Sequence, residues 1–140
     1  MAYDKRQNYL YIGQQMPSLN EYVAKNRTNP HVGATFKRSI EETIQMWIAA
    51  CVGSGNLHRI ESQCEIVIDF YERTKRRDVD NVQSATKFIL DALVKAGILP
   101  NDNQRWVRQV YHRVLPSVGI DCVYVYLIEN KKINLEVADE

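Results

Sequence analysis

Hydrophobic and polar positions alternate along this 140-residue chain in two distinct periods. Between Ala34 and Cys51 apolar residues recur at Phe36, Ile40, Ile44, Trp47, Ile48 and Cys51, the spacing of one buried helical face, and Gly53-Ser54-Gly55-Asn56 ends that run. From Ser62 to Phe70 the period drops to two. Cys64, Ile66, Ile68 and Phe70 fall on one side and Gln63, Glu65 and Asp69 on the other, which predicts a half-buried strand. The helical period returns over residues 81–96, with Val82, Ala85, Ile89, Leu93 and Ala96 as the apolar stripe. Asp80 is placed to cap this helix, Gln83 completes a capping box, and Gly97 and Pro100 stop it. Tyr9 to Ile12 reads as a short first strand, and Ile120 to Ile128, apolar on both faces, as an interior one. Trp106 to Leu115 carries mixed signals: Trp106, Val107, Val110, Tyr111 and Val114 follow a helical spacing, but valine and aromatics favour a strand. Met16 to Gly33, rich in Asn, Pro and Gly, reads as an irregular loop, and the tail from Asn130 as loose and polar. The outline is a mixed α/β (α+β) fold in the order β-α-β-α-β-β, with two main helices packed on a mixed sheet, forming one domain over residues 1–140.

Composition adds limits rather than identity. At 45% hydrophobic and 25% charged residues the chain has a globular make-up, and no apolar run is long enough to span a membrane. The N-terminal residues lack a secretory apolar stretch, so the expected setting is a bacterial-type cytoplasm. Cys51, Cys64 and Cys122 are odd in number and far apart, the pattern of buried reduced thiols rather than a disulfide frame or zinc site. The net charge of +1 hides an uneven distribution. From Tyr71 to Arg113 nine basic side chains stand against five acids, and four of those acids are candidates for a single site.

Those acids carry the candidate chemistry. Asp78 and Asp80, two apart in a segment leaving a strand, project to the same side of extended backbone and are able to grip one hard cation. Asp102 lies in a loop just past the helix, which would return a third oxygen ligand if the helix packs back on the strand. Three carboxylates suit Mg²⁺ or Mn²⁺. Lys87 and Asp91 lie about 40° apart on the polar face of the helix, and Lys87 leans toward the helix N-terminus, where it would donate to a phosphate. Each residue also has a plain structural counterpart: Asp80 as a cap, Lys87 and Asp91 as a surface pair, Asp102 as turn chemistry. The joint arrangement, with the basic run Arg73-Thr74-Lys75-Arg76-Arg77 ahead of it, is what points to a site.

The stretches Arg77-Asp78-Val79-Asp80-Asn81, Lys87-Phe88-Ile89-Leu90-Asp91-Ala92-Leu93 and Ala96-Gly97-Ile98-Leu99-Pro100-Asn101-Asp102 closely resemble the RusA family of Holliday-junction resolvases. Pro17-Ser18-Leu19-Asn20-Glu21-Tyr22 is similar to that family's N-terminal loop. The resemblance implies that Asp78, Asp80 and Asp102 are the metal-binding acids and Lys87 the essential lysine, with Asp91 and Asn81 in support. It also implies that Trp106 to Leu115 is a strand. Two positions depart from the pattern. Asn101 stands where the family often has the first of two aspartates, and Lys87 is placed by its distance to Asp91 because its spacing from Asn81 varies.

The resemblance further implies a homodimer on a four-way DNA junction, with Mg²⁺ (or Mn²⁺) activating water for two symmetric nicks, in a bacterial or phage-encoded enzyme of recombination and repair. Backbone contacts are expected from Arg73, Lys75, Arg76 and Arg77, then from Lys25, Arg27, Arg105 and Arg108. Two other readings exist. One is a branched-DNA-binding module without catalysis, in which the acids only cap and pair. The other is a small haloacid-dehalogenase-type phosphatase, since Asp78-Val79-Asp80-Asn81-Val82 fits Asp-x-Asp-x-Val. The four basic residues ahead of Asp78 suit a DNA-facing loop better than the end of a buried strand.

Overall fold

The computed structural model describes residues 8–17, 19–74 and 79–129, without the side chains of Leu19, Asn20, Asp80 and Asn81. The tail from Asn130 lies outside the described residues. Four strands, β1 (Tyr9–Ile12), β2 (Cys64–Glu72), β3 (Val107–Pro116) and β4 (Cys122–Glu129), form one mixed sheet in the order β1-β4-β2-β3. Only β2 and β3 run parallel, and β4 is antiparallel to both its neighbours. The helices are α1 (Leu19–Thr28), α2 (Pro30–Gly53), α3 (Val79–Gln83) and α4 (Thr86–Lys95).

The core lies between one sheet face and the helices. Ile66, Ile68 and Phe70 of β2, Leu10 and Ile12 of β1, and Val123, Val125 and Leu127 of β4 meet Ile40, Ile44 and Ile48 of α2 and Ile89 and Leu93 of α4. Removing each such side chain from water stabilises the fold by ~1.5–3 kcal/mol. Cys51 and Cys64 are buried free thiols and Cys122 is a half-buried one. Burial, helped by Glu129 and Glu65, pushes the Cys64 thiol up to about 12, so it stays protonated and unreactive.

Three expected features take a different form. Residues 19–28 are helical rather than irregular: Asn29 and Pro30 are the junction of two helices, with Asn29 Oδ1 accepting from His31 N at 2.8 Å as the cap of α2 and Pro30 in its first turn. At Gly33 the α1 backbone passes so close that an added Cβ would stand 2.8 Å from Asn26 Cα. The helix expected over 81–96 is two pieces. Asp80 lies inside α3, and the N-cap of α4 is Ala85, which makes no side-chain cap bond, so the capping box is not made at the helix that carries Lys87. Ala96, expected in the buried stripe, is exposed, and Phe88 and Ala92 are buried instead. Finally, β2 is buried on both faces rather than one, because side chains of the flanking strands, Arg113 of β3 and Tyr124 of β4, lie beside Asp69 on the face away from the helices, and Asp69 is fully enclosed.

The strand reading of Trp106 to Leu115 holds as β3, and its helical spacing has a local cause. Cys64 pairs with Val107, but Glu65 pairs with Gln109, so Arg108 is an extra residue in the ladder. This bulge shifts the alternation, and Val107, Val110 and Val114 all pack toward the core.

Candidate functional site

The parallel pairing of β2 and β3 dictates where the candidate residues go. A parallel neighbour is reached only by a crossover, so the chain leaves at the C-terminal end of β2 and must return to the start of β3. α3 and α4 make that crossing. α3 packs on β3 and passes into α4 through a turn in which Ala85 N–H bonds Val82 O at 3.4 Å. α4 then runs back along the sheet. Its first residue, Thr86, is tied to β3 by a 2.8 Å hydrogen bond between Oγ1 and His112 Nε2. Burial lowers the His112 pKa, which keeps the imidazole neutral at this contact.

α4 ends as the sequence predicts. Gly97 adopts φ +80°, Ile98 N bonds Leu93 O at 3.0 Å and Gly97 N bonds Val94 O at 3.0 Å, the pairing of a Schellman cap. The loop beyond is fastened to the N-terminal end of β2 by Ile60 N to Ile98 O (3.1 Å), Gln63 Nε2 to Gln104 O (2.9 Å) and Cys64 N to Trp106 O (2.9 Å). Within it, Asn101 Oδ1 accepts from Asn103 N and Asn103 Oδ1 from Arg105 N, both at 3.1 Å. The two asparagines therefore act as loop staples. Asp102 stands between them with its carboxylate exposed. Asn101 builds this loop through its side-chain oxygen, a role that a carboxylate at that position would fill equally.

Lys87 projects from the outward face of α4, its side chain 80% exposed, and its Nζ lies 3.5 Å from Asp91 Oδ2. The two thus form the expected i,i+4 pair. Asp78, Lys75, Arg76 and Arg77 lie outside the described residues, as do the side chains of Asp80 and Asn81. The α3 backbone that carries Asp80 precedes the first turn of α4, whereas Asp102 follows its last turn. Ten helical residues rise about 15 Å. The loop after α4 therefore brings Asp102 to the opposite end of the crossover from α3, not beside it. Among the described residues no three His, Cys, Asp or Glu side chains converge.

The remaining basic candidates divide by position. Arg105 and Arg108 are exposed at the same end as Asp102, with the Arg105 guanidinium 5.9 Å from the Trp106 ring centroid. Arg73, at the end of β2, is held through its backbone N by Asp121 Oδ1 at 2.6 Å, and its Nε lies 3.6 Å from the same oxygen. Lys25 and Arg27 are exposed on α1, far along the helical hairpin, with Lys25 Nζ 5.8 Å over the Phe36 ring.

Sequence reasoning missed three contacts. Asp69 receives two 2.7 Å hydrogen bonds from Arg113, Nε to Oδ1 and Nη2 to Oδ2. His112 anchors the helix that carries Lys87. On the sheet face opposite the helices, Tyr9, Tyr11, Tyr71, Tyr124 and Tyr126 form a ring cluster with neighbouring centroids 5.0–6.2 Å apart. The signal for the last is the repeated Tyr-x-Tyr of paired strands.

Residues 2–121 match the family described as Endodeoxyribonuclease RusA. The chain belongs to the RusA family. It is thus an endodeoxyribonuclease of a family that resolves Holliday junctions and binds branched DNA. No curated protein matches the chain in sequence. A sheet with a single parallel pair is also not the doubly wound sheet that a haloacid-dehalogenase-type phosphatase requires. No helix among the described residues is long and apolar enough to cross a membrane.

Proposed function

We propose that this RusA-family protein resolves four-way DNA junctions as a homodimer, by paired, symmetric, divalent-metal-dependent nicks. The observation that carries this reading is the family match across residues 2–121, which contains the whole set of Asp78, Asp80, Lys87, Asp91 and Asp102. A junction has near two-fold symmetry, and an isologous dimer offers it two equal sites.

The donor set fits Mg²⁺ or Mn²⁺. Asp78, Asp80 and Asp102 supply only hard carboxylate oxygens, and Asp102 is exposed on a loop that its neighbours brace without using it. When bound, the metal supplies a water of lowered pKa and screens charge on the phosphate. Lys87, on the exposed face of α4, donates to a phosphate oxygen, and Asp91 steers its ammonium. Thr86 and His112 fix the turn from which Lys87 extends. Asn81 supports the Asp-x-Asp segment. Arg105 and Arg108, beside Asp102, hold the DNA backbone, with Arg73, Lys75, Arg76, Arg77, Lys25 and Arg27 extending that contact along the arms.

The test is a labelled four-way junction incubated with and without Mg²⁺, beside an Asp80→Asn variant. Metal-dependent paired nicks are expected from the natural protein, lost in the variant while junction binding persists. Binding without cleavage across several divalent metals would instead establish a DNA-binding module.

A further inference from the structure

We infer that the α1–α2 hairpin is a wedge that seats between two duplex arms at a DNA branch point, with one basic flank against the backbone of each arm. This rests on the branched-DNA reading above and deepens it, because it assigns the preference for branched DNA to one element. The hairpin is a projection rather than a packing layer. The first side chain that α2 encloses in the core is Ile40, with Phe36 at the core's margin. Ahead of Phe36 only Gly33 is covered, and what covers it is Asn26 of α1. The turns from Pro30 to Thr35, about 9 Å of helix, therefore stand beyond the core with α1 beside them. Helices that are polar nearly all round add little to a core, so this segment is placed for a partner outside the chain.

Charge and position identify that partner. From Val23 to Ser39 the chain carries Lys25, Arg27, Lys37 and Arg38 and no acid, and all four cations are exposed. Such a projection attracts a polyanion. Tyr22, early in α1, packs against Phe88 with ring centroids 6.1 Å apart, so the hairpin rises beside the end of α4 that carries Lys87. The cations are divided between two grooves that share no residue. Tyr22, Asn26, Pro30, Lys37 and Arg38 line one side of the α1–α2 seam, and Lys25, His31, Val32 and Phe36 the other. A single duplex reaches only one flank at a time. Two duplexes diverging from a branch reach both, and the exposed apolar tip, Pro30 and Val32, then faces the base pair at which they part.

Two measurements made without Mg²⁺ test the wedge. Lys25→Gln alters one flank and Lys37→Gln/Arg38→Gln the other, all at exposed positions. Each variant, and the triple combination, is titrated across a salt series against a four-way junction and a linear duplex of the same arm sequence. A wedge makes the two losses on the junction add, with the slope of log K against log salt reduced by ~0.9 and ~1.8. With both flanks neutralised, the junction loses at least ~10-fold more affinity than the linear duplex. Equal losses on the two substrates, or an unchanged junction slope, overturn the inference. Hydroxyl-radical footprinting uses the natural protein. About 9 Å of helix matches roughly three base pairs at ~3.4 Å each, so protection covers that length of both arms beside the branch and vanishes in the triple variant. Protection limited to one of the two arms refutes the wedge. Absence of nicking by the natural protein in Mg²⁺ would refute the nuclease reading alone, since affinity and footprint report the wedge without it.

Discussion

Replacing Arg113 by Ala removes a charged contact to a buried carboxylate of the sheet. Asp69 on β2 is fully buried and opposite Arg113 on β3, which grips both of its oxygens at 2.7 Å. Truncating the arginine leaves a carboxylate enclosed by neighbouring strands with its charge uncompensated. Breaking a buried pair from one side costs about 3–5 kcal/mol. The Arg113 side chain is itself 45% exposed, so water enters the space it vacates, and the expected loss falls to about 2–3 kcal/mol. That is a large share of the ~5–15 kcal/mol stability of an ordinary domain. Urea unfolding measures it: the midpoint drops while the slope, set by the surface exposed, is unchanged. The partner experiments are Asp69→Leu alone and Asp69→Leu combined with Arg113→Ala. Removing both charges should restore most of the loss, giving a coupling of at least 1 kcal/mol in the double-mutant cycle. A single variant within 0.5 kcal/mol of the natural protein, or strictly additive losses, would refute the reasoning.

Three further outcomes follow from the site. Lys87→Ala should lower junction cleavage by at least ~100-fold, the scale of a lost transition-state donor, while the melting temperature stays within a degree or two because the side chain is exposed. Stability should be complete above about pH 6.5, the ordinary value for histidine, and should fall as the pH drops toward the lowered value of buried His112. Protonation there favours the unfolded chain, so a His112→Asn variant should flatten that slope in a pH series of unfolding curves. Arg105→Ala and Arg108→Ala should each weaken junction binding and reduce the slope of log K against log salt by ~0.9, one phosphate contact apiece. An unchanged slope places that arginine off the DNA.

Much of the fold was legible because a buried face imposes a period. Tyr9–Ile12 is a strand with the predicted ends, and the stripe Val82, Ala85, Ile89 and Leu93 is buried as its spacing requires. α1 was illegible for the complementary reason. Nearly all of its described side chains face solvent, so no apolar rhythm marks it, and Asn29-Pro30 resembles loop punctuation while serving as a helix cap and first turn. β3 was ambiguous because one bulged residue, Arg108, converts a two-residue period into steps of three. Asp69 read as a surface position because alternation reports only which face a side chain takes, not that Arg113 and the tyrosine cluster cover that face.

The candidate site was legible as a set of residue types but not as an arrangement. Asp80, Lys87 and Asp102 are neighbours along the sequence, and proximity along a chain invites the assumption of proximity in space. A crossover between parallel strands works against that assumption. It exists to carry the chain from one end of a sheet to the other, so residues at its two ends are as far apart as the helix is long. α4 spans only ten residues, yet its ends are fixed at His112 and at Ile60, and no side-chain motion closes that gap. A motif that straddles such a helix is therefore legible as residue types, while its arrangement is set by where the crossover places each end.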